Sequence, residues 1–191
     1  MIKLFNLINI FLLSLALNGG NWGDSIQVQV DGNVIIKGQR AKNILLDGLN
    51  EILYTQPTRS KFEKLRGEEF GCKYFFYEDL GLIAYSGPTK RKALKHSIIS
   101  IEAYFSYNKL YKCGKLYDSD IVISDLKITR NTKFDDIYFN PNIAKFINKR
   151  YALKEGSVKW LIELNIGNTQ VSIIFCDDRG EKIERVMISL L

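Results

Sequence analysis

Lys73-Tyr74-Phe75-Phe76-Tyr77-Glu78-Asp79-Leu80-Gly81-Leu82-Ile83-Ala84-Tyr85 is the stretch whose reading decides the fold class. Tyr74 to Tyr77 is aromatic at every step, which reads as a strand buried on at least one face, because aromatic side chains fit a pleated, packed surface. Glu78-Asp79-Leu80-Gly81 turns the chain, and Leu82 to Tyr85 returns as a second strand. Beyond Gly87-Pro88 and a basic loop, Ile98 to Phe105 supplies a third, completing an antiparallel meander. Alternate residues of a strand face opposite sides, so either Tyr74 and Phe76 or Phe75 and Tyr77 point away from the main core.

Upstream of this meander, Ile26, Val28 and Val30 alternate with polar residues, and Val34, Ile35 and Ile36 follow Asp31-Gly32. Asp-Gly between two apolar runs is a strong hairpin signal, because both central turn positions favour positive φ. Strands are therefore predicted at 26–30 and 33–37. Leu45, Leu49, Ile52 and Leu53 recur at helical spacing and predict a helix over 41–54, weakened by Gly48 and stopped before Pro57. Ser60 and Glu63 fit a capping box, which predicts a short helical turn at 61–65.

Downstream, the same order recurs. Lys115 to Tyr117 and Ile121 to Ile123 read as strands around Asp118-Ser119-Asp120, and Leu126 and Ile128 follow. Asn140-Pro141 is a helix start, with Ile143, Phe146, Ile147 and Tyr151 as the apolar stripe. Val158 to Ile166, Val171 to Cys176 and Ile183 to Leu190 then form a second meander, turning at Gly167-Asn168 and at Asp177-Asp178-Arg179-Gly180. The pattern predicts an α+β fold of antiparallel sheets each packed by a helix, arranged as two tandem repeats of hairpin, helix and three-stranded meander. The halves are residues 26–107 and 112–191, packed as one globular unit.

Residues 1–17 read as a secretory signal peptide, followed by a linker at 18–25. Lys3 supplies the positive end, Ile10 to Leu17 the apolar core, and Ser14-Leu15-Ala16 the small residues of a cleavage site. The stretch is shorter than the roughly 20 residues that span a bilayer, so no stable membrane span is expected after cleavage. This places the mature chain in the periplasm. The 191 residues are 46% hydrophobic and 25% charged, with 11 Phe and 10 Tyr, which excludes disordered and collagen-like classes. The net charge of +6 is mild, and the densest basic run is Lys90-Arg91-Lys92 with Lys95 and His96. That run reads either as a solvated loop or as a contact for phosphate, anionic lipid or an acidic partner. No nucleic-acid-binding signature accompanies it.

Catalytic signatures are sparse. The only histidine is His96, with no carboxylate beside it in sequence to orient it as a base. Ser124-Asp125-Leu126-Lys127 satisfies S-x-x-K, but on a strand end rather than the helix that chemistry requires, and its companion motifs do not follow. Acidic pairs at Glu78-Asp79, Asp118/Asp120, Asp135-Asp136 and Asp177-Asp178 read as turn residues. Three cysteines, Cys72, Cys113 and Cys176, have no zinc or C-x-x-C spacing, and Cys72 with Cys113 is the pairing chosen if a bridge forms. No metal, cofactor or catalytic group is predicted, and the chain reads as a non-enzyme.

The Gly-containing hairpin, the helix ending Leu49-Asn50-Glu51-Ile52-Leu53, Pro57-Thr58-Arg59, and Tyr77-Glu78-Asp79-Leu80-Gly81-Leu82 opening a strand together resemble a group of small uncharacterised bacterial domains. Some of these are similar to immunity proteins that protect a cell from secreted, type VI-like toxin effectors. The resemblance covers roughly 26–105, and it departs at Tyr54-Thr55-Gln56, where such proteins place a Gly before the Pro. It implies a partner, a cognate protein toxin, but supplies no site residues. The contact residues expected from the strand pattern are the two corresponding turns, Tyr77, Glu78 and Asp79 in the first half and Asp177, Asp178 and Arg179 in the second. A non-enzymatic envelope scaffold and a small hydrolase are the alternative readings.

Overall fold

The computed structural model describes residues 25–65, 68–107, 114–154, 158–177 and 179–190. The signal-peptide reading of 1–17 and the linker through residue 24 lie outside the described residues. In chain order the elements are β1 (Ile26–Val28), β2 (Val34–Ile36), β3 (Gln39–Arg40), α1 (Leu46–Leu53), β4 (Arg59–Lys64), β5 (Phe70–Tyr77), β6 (Leu82–Ser86), β7 (Thr89–Lys90) and β8 (Ile98–Tyr104). They continue with β9 (Ile121–Ile123), β10 (Leu126–Ile128), α2 (Phe134–Tyr138), α3 (Pro141–Ala144), β11 (Ile147–Lys154), β12 (Val158–Ile166), β13 (Thr169–Phe175) and β14 (Ile183–Ser189). The chain is thus α+β, mostly strand, in two sheets dominated by antiparallel pairing.

The sheets do not divide between the two halves. Both hairpins enter one five-stranded sheet, ordered β10-β9-β1-β2-β3, joined by the parallel pair β1–β9. Both meanders enter one nine-stranded sheet, ordered β11-β12-β13-β14-β8-β6-β5-β4 with β7 also on β5. Its centre is the antiparallel pair β14–β8, the last strand of each meander. Ile26, Val28, Ile36, Ile121 and Ile123 of the small sheet share one core with Phe75, Leu82, Ile101, Leu164, Ile173 and Val186 of the large one. Each such side chain, fully buried, contributes about 1.5–3 kcal/mol.

Two glycines let the sheets meet. Gly32, in the β1–β2 turn at φ 84°, and Gly167, in the β12–β13 turn at φ 55°, press their backbones together. A Cβ on Gly32 would lie 2.4 Å from the Ile166 carbonyl oxygen, and one on Gly167 would lie 2.4 Å from that of Asp31. Thr169 Oγ1 closes the junction by donating to the Gly32 carbonyl at 2.6 Å.

Three sequence expectations are corrected. The Ser60/Glu63 segment is not helical: it is β4, paired with β5 from Arg59↔Phe76 to Lys64↔Gly71, so cross-strand pairing overrides the local cap signal. The helix opened by Asn140-Pro141 is capped as read, Asn140 Oδ1 accepting from the Asn142 and Ile143 amides, but it runs only to Ala144. Its presumed continuation is β11, a fourth strand of the second meander hydrogen-bonded to β12. Lys115 to Tyr117 is irregular chain laid against the first meander, not a strand. Cys72 and Cys176 carry free thiols, and Cys113, the partner named for Cys72 if a bridge forms, lies outside the described residues.

The helix predicted over 41–54 starts later, at Leu46, because Leu45 makes a strand-like bridge to Ser97. It ends at Tyr54 in the left-handed region, at φ 56°, whose amide caps the helix carbonyls in the role glycine usually fills. Among the described residues, no helix is long and apolar enough to cross a membrane.

Candidate functional site

Strand direction brings the two predicted turns to one end of the large sheet. The β5–β6 turn lies beyond Tyr77↔Leu82, Leu82 pairs with Ala103, Ala103 with Val186, and β14 begins just past the β13–β14 turn. Three strand spacings separate the centres of the turns, about 14 Å.

The first turn is braced from three sides. Arg59 Nε donates to Glu78 Oε1 at 2.7 Å, Thr58 Oγ1 donates to Glu78 Oε2 at 3.0 Å, and the Lys115 amide donates to the Glu78 carbonyl at 2.7 Å. The Arg59 guanidinium also stacks over the Phe76 ring, 3.5 Å from its centroid, and so covers an aromatic on the sheet's outer face. Gly81, at φ 69°, is needed because a Cβ there would lie 2.2 Å from the Tyr117 amide nitrogen. Asp79 is left exposed at the tip.

Tyr77, expected at the exposed tip, is instead buried. It is 1% exposed, and its hydroxyl donates to Asn50 Oδ1 at 2.7 Å, tying α1 to the sheet. Burial pushes its phenol pKa up. Phe75 and Tyr77 are thus the pair that faces the main core, and Tyr74 and Phe76 lie on the sheet's other face, where Phe76 is buried in a smaller cluster with Ile83 and Tyr104. Glu78 likewise is spent on bracing.

The second turn is built around Asp177. Its Oδ1 accepts from the amides of Arg179 at 3.0 Å and Glu181 at 2.9 Å, which folds the loop over its own side chain. The Gly180 carbonyl accepts from the Phe134 amide at 2.7 Å, docking the turn on α2. Asp177 therefore shapes the loop, Arg179 is exposed on it, and Asp178 lies outside the described residues. Of the six residues predicted for contact, the structure presents Asp79 and Arg179 outward at this end.

Between the turns the end of β8 opens into a cleft of about 380 Å³ lined by Phe105, Leu116, Tyr117, Asp118, Ser119, Asp120, Thr129, Arg130 and Asn131. Phe105 and Tyr117 meet edge to face, 5.7 Å between centroids, and form an aromatic wall. Asp120 is held by Lys127, Oδ2 to Nζ at 2.6 Å, while Asp118 and Arg130 are exposed. The sequence signal for this cleft was present in Asp118-Ser119-Asp120, read only as a turn. Nothing in the sequence indicated that Thr129–Asn131 would join it.

Two other polar groups are buried, His96 away from this end and the Glu102, Glu184 and Arg185 cluster close to it. His96 is 5% exposed, its Nε2 3.5 Å from Lys73 Nζ and its ring 5.1 Å from that of Phe75. Burial, then the Lys73 charge, hold its pKa below the ordinary 6.5, opposed by the Ala93 carbonyl and Asp47. On the outer face, Glu102 Oε2 accepts from Tyr104 at 2.5 Å, and Arg185 joins Glu184 at 2.7 Å and Glu102 at 3.7 Å. Both carboxylates are at least nine-tenths buried, at 5% and 2% exposed.

No protein-family model matches the chain, and no curated protein matches it. Among solved structures, it is similar to one described as a cysteine-rich secretory protein from Staphylococcus aureus, with a TM-score of 0.42 and 18% identity. That match covers 78% of this chain and 44% of the other, so the chain spans less than half the length of that protein. A likeness this loose carries no argument about fold or function.

Proposed function

We propose that the chain is a non-enzymatic periplasmic binding protein, an immunity protein that neutralises a secreted antibacterial toxin effector by occupying its active cleft. The observation that carries this reading is the sheet end where two braced turns present Asp79 and Arg179 on either side of a mixed-charge, aromatic-walled cleft. A binding module needs a rigid scaffold that presents loops, and loops held by internal hydrogen bonds lose little conformational freedom on binding. The bracing by Glu78 and Asp177 supplies that preorganisation.

The charge pattern also favours a protein partner. Exposed Asp79, Asp118, Arg130 and Arg179 put both signs within one patch, which suits complementary pairing across an interface better than binding to a uniformly charged polymer. We also read residues 26–107 and 112–191 as an internal duplication, supported by the recurring order of hairpin, helix and meander and by the junction of the two meanders at β8 and β14. Superposition of β4-β5-β6-β8 on β11-β12-β13-β14 tests it, and failure of the strands to align in register removes it.

The binding reading is tested by co-expressing the chain with the product of its neighbouring gene and measuring retention. Charge reversal at both tips, Asp79→Lys with Arg179→Glu, is expected to weaken the complex at least about tenfold while leaving the melting temperature unchanged. Unchanged affinity in that variant would remove this end of the sheet as the binding face.

A further inference from the structure

The opposite end of the large sheet carries the basic run, and we infer that it is a docking surface for an anionic membrane, with Leu94 as the inserted apolar residue. The geometry begins at β5, whose eight residues separate its Phe70 end from the Tyr77 turn by about 23 Å. At the Phe70 end, Lys90 of β7 pairs with Phe70, and the amide of Leu65, just past the end of β4, donates to the Phe70 carbonyl, so Leu65 and Lys90 flank Phe70 on either side. The chain then projects as Arg91-Lys92-Ala93-Leu94-Lys95 before His96 returns it to the core.

Leu94 is 98% exposed at the tip of that projection. Phe70 and Leu65, at the base, are 42% and 45% exposed. Lys64, Lys90, Arg91, Lys92 and Lys95 surround them, against the two carboxylates of Glu68 and Glu69 on the neighbouring turn. A leucine held in water inside a ring of cations has two complementary surfaces: an acidic protein with an apolar pocket, or a lipid headgroup layer over acyl chains. The lipid surface fits better, because Leu94 stands almost wholly in water among cations while Phe70 and Leu65 at the base are only partly exposed, so a single apolar residue is offered for insertion, and each cation can reach phosphate without a matching partner geometry.

The inference stands apart from the toxin reading, since it uses the other end of the molecule and a different ligand. Its consequence is orientation: docking through this end would hold the cleft and the Asp79 and Arg179 turns on the far side, facing away from the membrane.

Sedimentation of the full chain with vesicles tests this directly. Vesicles of phosphatidylcholine alone measure whatever the apolar amino-terminal stretch contributes, and mixed phosphatidylcholine–phosphatidylglycerol vesicles add the anionic term. We expect tighter binding to the anionic vesicles, weakened by high salt. Each exposed cation near such a surface is worth about fivefold in partitioning, so the Lys90→Gln, Arg91→Gln, Lys92→Gln, Lys95→Gln variant should lose several hundredfold, on the order of 600-fold if the four act independently. Leu94→Ser should lose about tenfold with the charge intact. Equal binding of the native chain to both vesicle types overturns the inference, and that comparison decides even where a variant fails to fold. It is also overturned if the substitutions abolish binding to poly-glutamate yet leave anionic vesicle binding unchanged, which would assign the loop to an acidic protein.

Discussion

Arg185 is the residue on which the most buried charge depends. It faces Glu184 and Glu102, two carboxylates removed from water, with Glu102 also accepting from Tyr104. Removing one partner of a buried charge cluster leaves the other charges uncompensated, so Arg185→Met should destabilise the chain by about 3 kcal/mol in chemical denaturation near neutral pH. His96 provides a second residue-scale prediction. Its folded-state pKa is depressed by burial and by Lys73, so its contribution is complete above the ordinary 6.5 and is lost as pH falls through the lower folded value. Melting temperature should therefore fall as pH drops below about 6.5, and His96→Gln should flatten that part of the profile. Sequence placed His96 in an exposed loop because its neighbours are lysines; burial of one residue in a basic run depends on where the chain re-enters the core, which local composition does not encode.

At the scale of elements, the turns carry the strongest constraints. Gly32 and Gly167 touch backbone to backbone, and no side chain can be added at either without moving two turns and the junction between sheets. Gly167→Ala should cost about 2 kcal/mol or more, combining a positive φ with a displaced carbonyl, whereas Gly38→Ala, where nothing lies within 4 Å, should cost only the strain of its φ, about 1 kcal/mol. Thermal denaturation of the two variants side by side makes the comparison. The hairpin at Asp31-Gly32 was legible because its chemistry is local, but only Gly32 takes positive φ, and the strands stop at Val28 and resume at Val34, leaving Val30 exposed in a longer turn than the two-residue one read. The Ser60-x-x-Glu63 and Ile143-to-Tyr151 patterns misled because both segments satisfy a helical spacing, and only their partners β5 and β12 decide for strand. The same ambiguity hid Tyr77. Strand alternation showed that one aromatic pair would be buried in the core, but not which pair, and the group that accepts from the Tyr77 hydroxyl, Asn50 Oδ1, comes from α1, 27 residues away in sequence.

For the whole molecule, the arrangement is an interleaving. Each half gives its hairpin to one sheet and its meander to the other, so neither half closes a core by itself. Unfolding should accordingly be a single cooperative transition, with coincident loss of far-UV and near-UV circular dichroism; two separated transitions would show that the halves are independent. Strand length sets the two ends of the large sheet apart, the turns and cleft at one and the basic loop with Leu94 at the other. Sequence order conveyed the recurring elements but not this exchange, because the β1–β9 and β8–β14 pairings join strands from different halves and leave no local pattern.

The measurement that bears most directly on the binding claim is the affinity of the native chain and of the Asp79→Lys, Arg179→Glu variant for the product of the neighbouring gene, by titration calorimetry on purified proteins. A stoichiometric complex that the variant weakens at least about tenfold at unchanged melting temperature is the predicted result. A complex of equal affinity in both chains, or no complex between soluble, folded proteins, would contradict it.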